Sequence, residues 1–199
     1  GRHTKFLHVS NFFTILSINS PEIILVDQAS GVIVQQDLGD NCLIDMDLNK
    51  NPELLKQSVE ILSKIQIAHI PQIDKLDDES LTIQMDTIQS IFLEKFLSCR
   101  KLKELEVLQS RALSKLSEQP WMNCHFDFER RNLMVDSNNE IAVIDFQDLS
   151  SGPIGIDLAG LIIDHYIKYP DDTIANCLDH YSDLMEFQLN SNDQHYNII

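Results

Sequence analysis

Residues 125–148 read His-Phe-Asp-Phe-Glu-Arg-Arg-Asn-Leu-Met-Val-Asp-Ser-Asn-Asn-Glu-Ile-Ala-Val-Ile-Asp-Phe-Gln-Asp. Asp127 and Asp145 each stand at the edge of a short apolar run, and Asn132 lies between them. Phosphoryl transfer from ATP asks for a carboxylate that orients a hydroxyl and accepts its proton, and for Mg2+ to neutralise the phosphates. Such a cation needs hard oxygen ligands and leaves room for water and phosphate oxygens, so one amide and one carboxylate suffice. On this reading Asp127 is the catalytic base, Asn132 a metal ligand and Asp145 the principal metal ligand. His125 fits an orienting residue better than a proton carrier. Asp157, near a helix start, reads as a cap or as a brace behind the loop.

These groups need elements to hold them. Leu133–Val135 and Ile141–Phe146 flank Asp136-Ser137-Asn138-Asn139, which predicts a hairpin that brings the two loops together. Gly152-Pro153 marks a turn, after which Asp157 opens an apolar helix running through Leu158, Leu161, Ile162 and Tyr166. Pro170 stops it, and a further helix spans about 172–187. Upstream, residues 5–18 carry Phe6, Val9, Phe13 and Leu16 at helical spacing. Glu22–Val26 and Gly31–Gln35 predict another hairpin. Residues 41–120 read as helical throughout. Asn51-Pro52 starts one helix with Leu55, Val59, Leu62 and Ile65 on its buried face. Residues 79–98 place Leu81, Met85, Ile88, Phe92 and Phe96 on one stripe, and residues 101–117 place Leu105, Leu108, Ala112 and Leu116 on another. Both stripes are expected to be packing faces.

The composition narrows the partners. Thirty-one acidic against fifteen basic residues give a formal charge of −16 over 199 residues, a balance that disfavours nucleic acid and anionic membrane surfaces. No apolar run approaches the roughly 20 residues of a membrane span. Cys42, Cys99, Cys124 and Cys177 are widely spaced without a Cys-x-x-Cys pair, so reduced thiols and a cytoplasmic location are expected. The partner expected is a small-molecule substrate. A transition-metal hydrolase built on His125, Asp127, Asp145 and Asp148 is disfavoured because the other histidines are scattered.

The ordered set His125-x-Asp127-x4-Asn132, Ile144-Asp145-Phe146-Gln147-Asp148 and Gly152-Pro153-x3-Asp157-Leu158-Ala159 resembles the aminoglycoside phosphotransferase/choline kinase group. Within it, Asp-Phe-Gln-Asp, Gly-Pro and Tyr166-Ile167-Lys168-Tyr169-Pro170 resemble the bacterial anomeric kinases of N-acetylmuramate and N-acetylglucosamine. The resemblance implies an α+β, protein-kinase-like fold: a truncated small lobe and hinge in residues 1–40, and a mainly helical large lobe with a catalytic-loop hairpin in residues 41–199. It also implies ATP and Mg2+ as cofactors. Val34–Asp40 resembles the inter-lobe hinge, where backbone groups of Gln36, Asp37 and Leu38 would meet adenine. The expected function is ATP-dependent phosphorylation of a small-molecule hydroxyl, with an amino sugar as substrate and an aminoglycoside or choline as the alternatives. The strands and loop that cover the phosphates in that group have no counterpart here. Phe126, Phe128 and Glu129 also depart from its usual small, basic or histidine residues. An incomplete or inactive kinase-like binding protein is therefore the competing expectation.

Overall fold

The long central helix forms because proline opens it and apolar residues recur on its buried face. In the computed structural model, which describes residues 2–99 and 103–185, α2 spans Pro52–Ile67 with proline in its first turn. Leu55, Val59, Leu62 and Ile65 recur on one face and are all buried. Asn51 supplies no side-chain cap; its amide instead donates to Asp47 O. The other end is closed from outside: the buried Asn123 amide donates to Ile65 O and Ala68 O at 2.8 and 2.7 Å. Ile65 O otherwise accepts only a long 3.4 Å bond from Ala68 N at the helix end, so Asn123 strengthens this terminus while tying α2 to the strand that leads into the 125–148 segment.

Around α2 the chain builds a mixed α+β architecture. Helix α1 (Arg2–Ile15) precedes an antiparallel hairpin of β1 (Ile23–Asp27) and β2 (Val32–Gln35). A short three-stranded sheet has the order β3-β7-β4, from Asp74–Lys75, Ser150–Pro153 and Trp121–Cys124. β7 pairs parallel to β3 and antiparallel to β4, with Trp121 opposite Pro153 and Cys124 opposite Ser150. The second hairpin joins β5 (Leu133–Val135) to β6 (Ile141–Val143), as the turn residues predict. Helices α5 (Gly155–Ile162) and α6 (Asp171–Leu184) complete the core against α2. Gln66 of α2 links both, donating to Ile154 O and accepting from the Tyr181 hydroxyl.

Several expectations are corrected. Residues 41–120 are not uniformly helical: Leu43–Asp45 form a 3-10 turn and Asp74–Lys75 a strand edge. Helix α3 (Asp78–Thr87) continues as a wider π-helical stretch, Ile88–Phe96, and α4 (Lys103–Ser117) follows. Their apolar stripes are only partly covered: Leu81 is buried and Met85, Leu105, Ala112 and Leu116 are half-buried, but Ile88, Phe92, Phe96 and Leu108 are exposed, and none of the described residues of α4 is fully buried. The periodicity correctly predicts helix, but a buried face also requires a neighbour, and α3 and α4 meet chiefly each other. Helix α5 ends at Ile162, before Tyr166, which is exposed. There Asp164 binds the Tyr166 and Ile167 N–H groups, a local turn that competes with further helix.

Candidate active site

Strand β4 delivers the chain to His125, and the next residue turns sharply. Phe126 has φ +67°, in the left-handed region that non-glycine residues seldom adopt. Two contacts sustain it. Asp157 of α5 accepts hydrogen bonds from His125 N at 2.6 Å and Phe126 N at 2.8 Å. The Phe126 ring lies over Gly152, where a Cβ would come within 2.5 Å of it, so the glycine of the Gly-Pro pair makes room for the ring. Asp157 therefore does not cap its own helix; its carboxylate is spent on the loop opposite. Burial pushes its carboxyl up to about 6, against the opposing effect of the backbone N–H bonds from His125, Phe126 and Phe128.

The loop then closes on itself. Residues Arg130–Asn132 form a 3-10 turn that folds Asn132 back over Asp127. The Asn132 amide nitrogen donates to Asp127 O at 2.8 Å and to Asp127 Oδ2 at 2.9 Å, which leaves the amide oxygen as an available acceptor. Arg131 donates to Asp127 Oδ1 at 2.7 Å. Burial alone would raise the Asp127 carboxyl, but the Arg131 and Asn132 bonds outweigh it and hold it below the usual carboxylate range. Asp127 is therefore ionised at neutral pH, as a proton acceptor must be.

Asp145 is brought alongside through its neighbour Ile144. Ile144 N donates to Asn132 O at 3.0 Å, and Ile144 O accepts from His125 Nε2 at 3.0 Å. Burial lowers the tendency of His125 to protonate, so it is a neutral ring committed to this bond. Asp145 itself is exposed and left-handed, with φ +61°. Its strained backbone is held by the residue that follows: Phe146 is buried, with its ring centroid 4.8 Å from those of both Phe6 and Phe13 of α1. Gln147 Nε2 donates to Asp145 Oδ1.

His125, Asp127, Asn132, Asp145 and Asp157 thus form one connected constellation. Gln36 and Asp37 are exposed and Leu38 is partly exposed on the segment after β2, where Gln36 N is committed to Glu22 O and Asp37 Oδ1 accepts from Gly39 N. That segment reaches the constellation through Cys42, whose thiol donates to Arg130 O and Arg131 O. Sequence reading missed both arginines. Arg130 is buried, with its guanidinium on Asp164 at 2.6 Å and on the carbonyls of Leu43, Ile44 and Met46. Arg131 had a readable signal, its position four residues after Asp127; Arg130 had none. The four cysteines are unpaired. Among the described residues no helix is long and apolar enough to cross a membrane, and no three His, Cys, Asp or Glu side chains gather as a metal site.

This architecture is protein-kinase-like. An aminoglycoside-3'-phosphotransferase of type VIII superposes with a TM-score of 0.66 at 14% identity, covering 94% of this chain and 76% of that one. A choline/ethanolamine kinase family protein from Mesorhizobium loti gives 0.67 at 15% identity, covering 91% and 61%. By sequence, residues 4–188 match the model of the phosphotransferase enzyme family, and the chain belongs to that family. An N-acetylmuramate/N-acetylglucosamine kinase of Neisseria meningitidis is 28% identical over 190 residues, covering 88% of this chain and 55% of that protein. The chain spans about half the length of the curated relatives it matches.

Proposed function

We propose that this chain carries the catalytic and metal-binding loops of an ATP-dependent kinase that phosphorylates a hydroxyl of a small molecule, an amino sugar of the N-acetylmuramate or N-acetylglucosamine type. The observation that carries the reading is the ionised Asp127 carboxylate, fixed by Asn132 and Arg131 and linked through Ile144 to Asp145. Asp127 orients the acceptor hydroxyl and takes its proton. The Asn132 amide oxygen and the exposed Asp145 carboxylate are hard oxygen donors that fit Mg2+, which when bound neutralises phosphate charge. A two-residue donor set also suits a cation completed by phosphate oxygens and water. His125 and Asp157 support the loop. In this reading residues 1–40 contribute part of a small lobe and a hinge, where the Gln36 carbonyl and backbone groups of Asp37 and Leu38 would meet adenine while Gln36 N stays on Glu22 O, and residues 41–199 belong to the large lobe. The amino-sugar assignment is supported by the likeness to the Neisseria kinase and its relatives, and the cytoplasm, where ATP is available, is the compartment proposed.

The test is a phosphorylation screen of amino sugars, aminoglycosides and choline, run on this chain and on the full product of its gene. Turnover of an N-acetyl amino sugar is expected. Turnover of an aminoglycoside alone would overturn the substrate assignment, and absence of Mg2+-dependent nucleotide binding in both proteins would sink the kinase reading. Asp127→Asn is expected to abolish turnover while sparing nucleotide affinity. Unchanged turnover would remove Asp127 as the base.

A further inference from the structure

Adjacent arginines in the 125–132 loop have opposite fates. Arg130 turns inward and is 2% exposed, whereas half of the Arg131 side chain remains exposed. Arg131 Nη2 lies 2.7 Å from Asp127 Oδ1 and 3.5 Å from Glu129 Oε2, so the guanidinium is held between two carboxylates. The arrangement follows from the 3-10 turn over Arg130–Asn132, which brings residue 131 back beside residue 127. Stability does not explain it, because a half-exposed ion pair of this kind contributes little to folding.

What the pair does control is the orientation of a carboxylate. The terminal torsion of an aspartate is broad and has no sharp preference of its own. With Arg131 on Oδ1 and Asn132 on Oδ2, rotation about that bond is blocked from both sides. Each oxygen keeps one further acceptor direction, and its aim is now defined. Asn132 spends its two N–H donors on Asp127 O and Oδ2, so Oδ1 is held by Arg131. We infer that Arg131 is a positioning residue for the transfer: it sets the plane of the Asp127 carboxylate so that a remaining lone pair meets the acceptor hydroxyl. This inference rests on the kinase reading proposed above.

Orientation acts on the reacting geometry more than on binding, so its loss falls on kcat. In the full gene product, Arg131→Ala is expected to lower kcat by about 10- to 100-fold, the worth of one charged hydrogen bond, with nucleotide KM changed by less than about twofold. Arg131→Lys, which keeps a charged donor but loses the planar fork, is expected to fall between the two. Guanidinium chloride at a non-denaturing concentration is expected to raise the kcat of Arg131→Ala several-fold and to leave wild type unchanged. The melting temperature of each variant is expected to match wild type. Wild-type turnover with an unchanged kcat in Arg131→Ala overturns the inference alone. So does a loss carried by KM, or one that neither lysine nor guanidinium restores. Absence of turnover in the wild-type protein overturns the kinase reading, and the inference with it.

Discussion

Asp157 does more for the site than its position in a helix suggests. It is 1% exposed, and its two oxygens hold the backbone of His125 and Phe126, 32 and 31 residues away. Burial raises its folded-state value from 3.8 to about 6, so the folded protein binds this proton more tightly than the unfolded chain. The resulting stability is complete below about pH 3.8 and is lost as pH rises through about 6. Asp157→Asn lacks this dependence. The stability of wild type relative to Asp157→Asn is therefore expected to fall by up to about 3 kcal/mol between pH 4 and pH 7. Urea denaturation of both proteins across that range checks it, and a pH-independent difference would remove the raised value. The sequence made Asp127, Asn132 and Asp145 visible because their spacing is local and ordered. The sequence pointed to Asp157 as a brace for the loop with capping as the alternative, but which backbone groups it holds depends on what lies across from α5.

Among the elements, the loop carrying Asp127 is fastened to two others through one buried side chain. Arg130 reaches from that loop to the 3-10 turn at Leu43–Asp45 and to the segment between α5 and α6, where Asp164 also binds Tyr166 N and Ile167 N. Removing one partner of a buried pair leaves the other charge uncompensated. Arg130→Met is expected to destabilise the protein by about 3–5 kcal/mol in urea titration. Adding Asp164→Leu is expected to restore only part of this loss, because the Tyr166 and Ile167 N–H groups also lose their acceptor. Full restoration would mean that the pair, not the loop it anchors, carries the effect. The helical periods of α1, α2 and α6 and the turn chemistry of both hairpins were legible in the sequence, because each depends on neighbours within a few residues. The fastening between them was not legible, since it joins positions more than thirty residues apart.

At the scale of the whole molecule, charge is the dominant feature. A formal −16 places many carboxylates near one another, and their repulsion opposes the folded state. Raising NaCl from roughly 20 to roughly 500 mM shortens the screening length from about 20 to about 4 Å. The melting temperature is expected to rise by roughly 2–5 °C over that range, and differential scanning calorimetry reads it directly. A salt-independent value would show that local pairs already offset the repulsion. The apolar stripes of α3 and α4 mark the boundary of sequence reasoning at this scale. Phe96 and Leu108 satisfy the helical period yet are 76% and 61% exposed. By itself the sequence determined which chemical groups this protein has, their order, and the secondary structure that local sterics impose. Tertiary structure alone decided which arginine is buried, which apolar face is covered and which backbone Asp157 holds. Burial and long-range hydrogen bonds depend on what the fold places opposite each residue, and no local spacing encodes that.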